Sequence, residues 1–194
     1  VNRGELVLIV KEYLNRPNMS SEAIGSMIAS VEGEMNRALR EHPRNARRVT
    51  TTQAAGVSLL SLPTDIVQLV ELRSPLGTMT QYPPTGRAQA EGDGNAFISY
   101  GDSVELLPAP AADTSYSLAY TAMLRPLVAD ADANWVSKYF PDLYLYGALK
   151  EAAVYLKDDQ RLQLWQAEFL RRLDGVQAQG WNQNIAAGPR IVID

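Results

Sequence analysis

Glutamate and aspartate are the residues of this chain spaced for bond chemistry. Glu32 with Glu34, and Asp158 with Asp159, are paired carboxylates of the kind that divide acid and base work in hydrolases. That division needs one carboxyl kept protonated by burial. Near neighbours on a helix point apart, and nothing around either pair promises burial, so both read as solvated. In "DADAN", Asp130, Asp132 and Asn134 stand where the first, third and fifth ligands of a calcium loop would be. Trp135 replaces that loop's glycine, however, and Pro141 its bidentate glutamate. A polar lead-in to a helix cap accounts for the same residues.

The remaining chemical inventory is short. His42 is the only histidine, which excludes the common two-histidine zinc sites by count, and beside Pro43 it is expected exposed at a helix end. The absence of cysteine removes disulfides, thiolate metal sites and thiol nucleophiles together, and suits a reducing cytoplasm. Phosphate-cradling glycine loops, dinucleotide fingerprints and serine elbows are missing. The one basic cluster is Arg44, Arg47 and Arg48, which reads either as a phosphate contact or as a solvated turn between a helix and a strand. No residue stands out as a catalyst, and no metal or cofactor is expected.

The elements that must position these side chains fall into three sections. A first helix follows from Leu6, Ile9, Val10, Tyr13 and Leu14 on one face. A second, capped by Ser20 or Ser21 and running to about Arg40, follows from Ile24, Met27, Ile28, Val31, Met35 and Leu39. From Arg47 to about Leu127 the pattern shortens to β-rich runs bounded by Gly and Pro. Tyr116, Leu118 and Tyr120 share one face there, "YGDS" makes a hairpin turn, and "GRAQAEGDGN" reads as a mobile surface loop.

Helix then returns. Asn134 caps a short turn to Tyr139, and Pro141 opens a helix to about Lys157 with Leu145, Ala148, Leu149, Ala152, Tyr155 and Leu156 in a stripe. Gly147 and Ala153 leave room for a close neighbour. Leu162, Trp165, Phe169, Leu173 and Val176 define a final helix, antiparallel to the last. The expected fold is therefore α+β: a helical bundle of N-terminal helices (1–46) and a C-terminal helix hairpin (129–178), with a small antiparallel β domain inserted (47–128) and an extended tail (179–194).

Charge and length bound the function. Residues 1–48 carry eight basic and six acidic side chains, residues 49–134 three and nine, and residues 135–194 seven and seven. An acidic middle argues against a grip on nucleic acid. The longest apolar run, Leu6 to Val10, is far shorter than the roughly 20 residues of a membrane span, and no signal region opens the sequence. A soluble protein without a membrane partner is expected.

Three stretches in order carry a resemblance: Leu62, Pro63 and Asp65 opening a strand; Leu107, Pro108 and Pro110 ahead of a Tyr-rich strand; and Asn134 and Trp135 followed by Pro141, Asp142, Leu143, Tyr144 and Gly147. Over about residues 60–178 the chain resembles the head-to-tail adaptor proteins of tailed bacteriophages. The N-terminal helices are only generically similar. The resemblance implies a structural protein of the virion neck and no enzyme. It would form a ring, commonly dodecameric, that docks below the portal protein, receives a tail or nozzle protein, and lets double-stranded DNA pass without specific binding. Assembly would take place in the host cytoplasm.

On that reading Trp135, Tyr139, Tyr144, Tyr146, Tyr155 and Trp165 supply either ring contacts or one helical core, and Arg44, Arg47 and Arg48 polar contacts with a partner. The tail, with Trp181, Ile185, Arg190, Ile191, Val192 and Ile193, reaches another protein by strand addition or packs back on its own domain. A tail-completion or neck protein, and a virion-borne cell-wall hydrolase, remain as alternatives.

Overall fold

A computed structural model describes residues 1–186, with side chains through Gly180. The elements run α1 (Arg3–Leu14), α2 (Ser21–Ala38), β1 (Ala46–Gln53), β2 (Leu59–Ser61), β3 (Ile66–Ser74), β4 (Gly77–Thr78), β5 (Thr80–Tyr82), α3 (Arg87–Asp93), β6 (Ala96–Tyr100), β7 (Ser103–Leu107), β8 (Thr114–Ala122), α4 (Trp135–Tyr139), α5 (Pro141–Leu156) and α6 (Asp159–Ala186). The protein is α+β. Two units divide it: a helical one, residues 1–45 with 124–194, and a β unit, residues 46–123, inserted between α2 and α4 in the sequence.

In the helical unit, α1, α2, α4, α5 and α6 share one apolar core that includes Val10, Ile28, Val31, Leu149 and Phe169. Local signals set the helix limits. Asn2 and Glu5 form a reciprocal cap on α1, Ser20 Oγ accepts from the Ala23 amide to start α2, and Asn134 does the same for α4 through Ser137. Asn15 and Lys157, at φ of 53° and 56°, end α1 and α5 in the left-handed conformation. Gly147 is where α5 comes closest to its neighbours: a Cβ there would lie 2.5 Å from Val31 Cγ1 and 3.1 Å from Phe169 Cε2. The small residue expected to admit a close neighbour does so.

The final helix departs from expectation. It continues through Ala186, so residues 179–186, including Trp181 and Ile185, are helical and not extended. Gly180, Asn182 and Asn184 are weak helix formers, but the Gln and Ala positions of "VQAQGWNQNIA" favour a helix. The first proline after this segment, Pro189, lies beyond the described residues, as do Arg190, Ile191, Val192 and Ile193.

In the β unit, one sheet has the order β1-β8-β3-β4 and the other β2-β7-β6-β5. Leu60, Phe97, Val104 and Leu106 from the second meet Leu72, Tyr116, Leu118 and Tyr120 from the first in a shared core, so the alternation read in β8 points inward as expected. Residues Tyr100 and Ser103 pair across a two-residue turn begun by Gly101 at φ 63°, the hairpin expected at "YGDS".

The stretch expected to be a surface loop is instead α3, held by the Arg87–Glu91 pair one turn apart and closed by Gly94 at φ 77°. The topology gives the reason. β5 and β6 run parallel, the one departure from an antiparallel domain, and parallel neighbours need a crossover, here a helix. α3 lays Ala90 against Ala96, Ile98 and Leu107, so β6 is buried on both faces and reads as the unbroken apolar run "AFI".

Candidate functional site

The carboxylate expected to be solvated is the most buried one among the described residues. Glu32 lies on the inward side of α2, 6% exposed. Its Oε1 accepts from the Tyr144 hydroxyl at 2.9 Å and from the Leu127 amide at 2.9 Å. Tyr144 is fully buried and its oxygen also accepts from Asn134 Nδ2 at 2.6 Å. Burial raises the Glu32 carboxyl above its ordinary range, while both hydrogen bonds pull it back down. Burial, then the Glu32 charge, pushes the Tyr144 phenol up. Both partners are internal, and the group fastens the segment around Leu127 to α2 and α5. Glu34 turns away to Lys150 Nζ at 2.6 Å.

A second cluster gathers at the same end of the helical unit. His42 is 6% exposed, not at the surface, and stacks on Trp135 with centroids 4.5 Å apart. Trp135 Nε1 donates to Asn45 Oδ1 at 2.8 Å, and Asn45 Nδ2 donates to the Leu39 carbonyl at 2.7 Å. Burial, with Arg44 nearby, lowers the His42 pKa. Asn45 and Leu124 are the helical unit's residues at the two chain crossings to the β unit, and Leu124 donates its amide to Asn36 Oδ1 at 2.7 Å. Both crossings are therefore anchored by asparagines from α2 and the turn after it.

The opposite end of the helical unit is grooved. Around the Asn15–Arg16 turn lie a groove of about 490 Å³ lined by Pro17, Met19, Tyr155 and Leu156 and another of about 460 Å³ lined by Tyr13, Leu156, Arg161 and Trp165. Tyr13 and Tyr155 are 57% and 65% exposed, and Leu8, Val154, Leu164 and Leu170 add exposed apolar surface to the same helices. Such surface is costly in water unless a partner covers it.

The residues singled out from sequence thus separate. Tyr144 is core and makes no outward contact. Trp165 is 9% exposed at a groove wall, Trp135 is held in the His42 cluster, and Tyr146 is half-buried under the Arg172 guanidinium at 3.9 Å. Tyr139 and Tyr155 face outward. Arg44 lies over the Tyr139 ring at 4.3 Å, whereas Arg47 and Arg48 sit on β1 in the other unit, Arg48 paired with Glu71 at 3.1 Å.

The DADAN aspartates serve the backbone and arginines. Asp132 accepts from the Val128 and Ala129 amides, which lowers its pKa, and Asp130 pairs with Arg3. Among the described residues no group of three or more His, Asp or Glu could hold a metal, and no helix is long and apolar enough to cross a membrane.

Sequence reading missed Glu32, His42, Asn36 and Asn45. Glu32 carried a signal: it falls four residues after Ile28, within the apolar stripe of α2, where a charge is out of place unless partnered. Comparison with known proteins completes the picture. The family model described as SU10 adaptor protein matches residues 1–191. A search of curated proteins gives no match.

Proposed function

Because the chain belongs to the SU10 adaptor family, a family of phage structural adaptors whose members are virion components, we propose that it closes into a ring, dodecameric by resemblance, beneath the portal protein. There it extends the DNA channel and receives the tail or nozzle protein. The helical unit is the bundle that carries the ring contacts. The observation behind the reading is the family match across residues 1–191; the grooved end with Tyr13 and Tyr155 supports it. A ring repeats a heterologous contact until it closes, so each copy must present two unlike faces, and rigid aromatics cover area at low entropic cost.

Passage of double-stranded DNA without specific binding follows from an acidic lining, but one weaker than the residue count suggests. Glu71 is met by Arg48 and Arg73, and Glu91 and Glu105 by Arg87, which leaves Asp65, Asp93, Asp102 and Asp113 as the exposed acids of the β unit outside these ion pairs. Arg44 is then a polar contact to protein, assembly belongs to the host cytoplasm, and the neck is the final location. Electron microscopy of the purified protein with and without portal tests the proposal: closed rings that dock on portal are expected, and separate monomers under both conditions would end it.

A further inference from the structure

Four strands form the open edges of the two sheets, and three of them are short. β4 has two residues, β2 three and β5 three. β1 has eight, and it pairs with β8 residue for residue from Ala46–Thr121 to Gln53–Thr114 without a bulge. In such a ladder alternate residues turn their N–H and C=O groups toward the neighbouring strand, and the rest turn them away. On its far side β1 has no strand to receive them, and none of its residues is buried. Short length, bulges, proline and charge are what protect an open edge. The sequence "ARRVTTTQ" holds no proline, Arg48 is already engaged by Glu71 at 3.1 Å, and Arg47, the other cation, stands near the start of the strand.

We propose that β1 pairs edge to edge with β1 of a second copy of this chain, antiparallel about a two-fold axis at Thr50, so that the two four-stranded sheets run on as one. Length is the first argument for this occupant. The other open edges of the chain have two or three residues, so β1 alone matches β1. Charge is the second. Both arginines lie in the first half of the strand, and Thr and Gln fill the second. An antiparallel copy therefore sets Arg47 against Gln53 and Arg48 against Thr52, whereas a parallel copy in register would set each arginine against itself, like against like.

The faces agree with this register. A two-fold axis normal to the sheet keeps each residue on its own side. Val49, which packs against the core, and Thr51, opposite the buried Tyr116, then face each other on the core side, and the two copies of Thr50 meet on the polar side. Centring the pair on Val49 would bring the two copies of Arg48 to diagonal positions about 7–8 Å apart. Centring it on Thr51 would leave Arg47 and Arg48 beyond the end of the partner strand. A two-fold pair is isologous and closed, while a ring repeats a heterologous contact, so the pair is a form of the chain outside the ring and is tested separately from it. One strand pair buries less than the roughly 1,000 Å² of a lasting interface, so monomer and dimer exchange with concentration.

The chain contains no cysteine, so single thiols report cleanly. In full-length Thr50→Cys the two-fold axis sets each thiol opposite its own copy, at a Cα separation that a disulfide spans in either kind of antiparallel pair. In Thr52→Cys, on the same face, each thiol lies opposite Arg48 and far from its own copy. Oxidation should link Thr50→Cys, and not Thr52→Cys, into a species of twice the chain mass. Sedimentation of the unaltered chain should show the mass rising from one copy to two with concentration. Thr50→Pro and Thr51→Pro supply the second test. One of the two removes an N–H that points away from β8 and leaves the β1–β8 ladder whole; it should stay folded by circular dichroism, yet sediment as a monomer throughout.

A chain that is monomeric at every concentration, or that forms closed rings without a Thr50→Cys link, overturns the pair. Equal linkage of Thr50→Cys and Thr52→Cys overturns the register. A dimer that survives in the folded proline variant overturns β1 as its site, and if neither proline variant folds, the two thiols decide.

Discussion

Replacing Gly147 by alanine should destabilise the protein even though alanine is the better helix former. In an exposed helix the change gains about 1 kcal/mol. At this position the new Cβ would stand 2.5 Å from Val31 Cγ1, 3.0 Å from Val31 Cγ2 and 3.1 Å from Phe169 Cε2, roughly 1 Å inside ordinary carbon contact. Neither neighbour has room to yield. Val31 and Phe169 are 0% and 1% exposed, and a β-branched side chain in a helix has essentially one rotamer. Overpacking of this kind costs about 1–3 kcal/mol, and a clash with a stiff side chain belongs in the upper half of that range.

The net loss should be about 1–2 kcal/mol, or a fall in Tm of about 2–8 °C for a chain of this length. Gly33 and Gly175 provide the comparison. Both are helical, and a Cβ there meets only the tip of the Arg37 side chain at 3.8 Å or nothing at all. Their alanine variants should gain about 1 kcal/mol. Thermal unfolding followed by circular dichroism reads all three, and adding Val31→Ala should turn Gly147→Ala from harmful to helpful. If Gly147→Ala raised Tm as Gly33→Ala does, the close approach of α2, α5 and α6 would not exist as described.

Five further outcomes follow from the two clusters and the grooved end. Glu32→Ala should cost about 1–3 kcal/mol for each buried donor it strands, the Tyr144 hydroxyl and the Leu127 amide, measured by denaturant unfolding. Glu32→Gln should instead flatten a pH slope: because the folded pKa is raised, wild-type stability from this group is whole below the ordinary carboxylate value and declines as pH rises through the folded one.

His42 works in the opposite sense. Its folded pKa is lowered, so its contribution is whole above the ordinary imidazole value near 6.5 and declines as pH falls through the folded one, a decline that His42→Phe should remove while keeping the ring stack. Trp135→Phe should cost about 1–3 kcal/mol by leaving Asn45 Oδ1 without its donor, seen in the same unfolding curves. Tyr13→Ser with Tyr155→Ser should change stability by no more than about 0.5 kcal/mol, yet prevent ring closure in native mass measurement.

Much of the architecture was legible one residue at a time. The caps at Ser20 and Asn134, the turn at Gly101, the inward face of Tyr116, Leu118 and Tyr120, and the small residue at Gly147 are decided by neighbours within a few positions, where hydrogen-bonding reach and backbone sterics operate. Helix α3 was not legible because two glycines outweighed its helix formers in a local reading, whereas the parallel pairing of β5 and β6 demands a crossover that no window of ten residues reveals. The long α6 runs past the expected end at 178 for a related reason: Gly180 is a poor helix former by itself, but its missing side chain is what leaves space for the His42 ring, whose Cδ2 lies 2.5 Å from where a Cβ would be.

The candidate surfaces divide in the same way. Periodicity alone was enough to establish α+β and a β region between helices, and composition alone excluded cysteine chemistry and two-histidine metal sites. Whether a given aromatic faces in or out was settled by packing: Tyr144 and Tyr155 stand eleven positions apart on one helix, about three turns, yet one is sealed by Glu32 and Asn134 and the other is open. Partners distant in sequence made that difference, since Glu32 and Tyr144 stand 112 positions apart and no local pattern joins them. Burial is a property of the assembled core, and a side chain acquires it only when other segments arrive to exclude water.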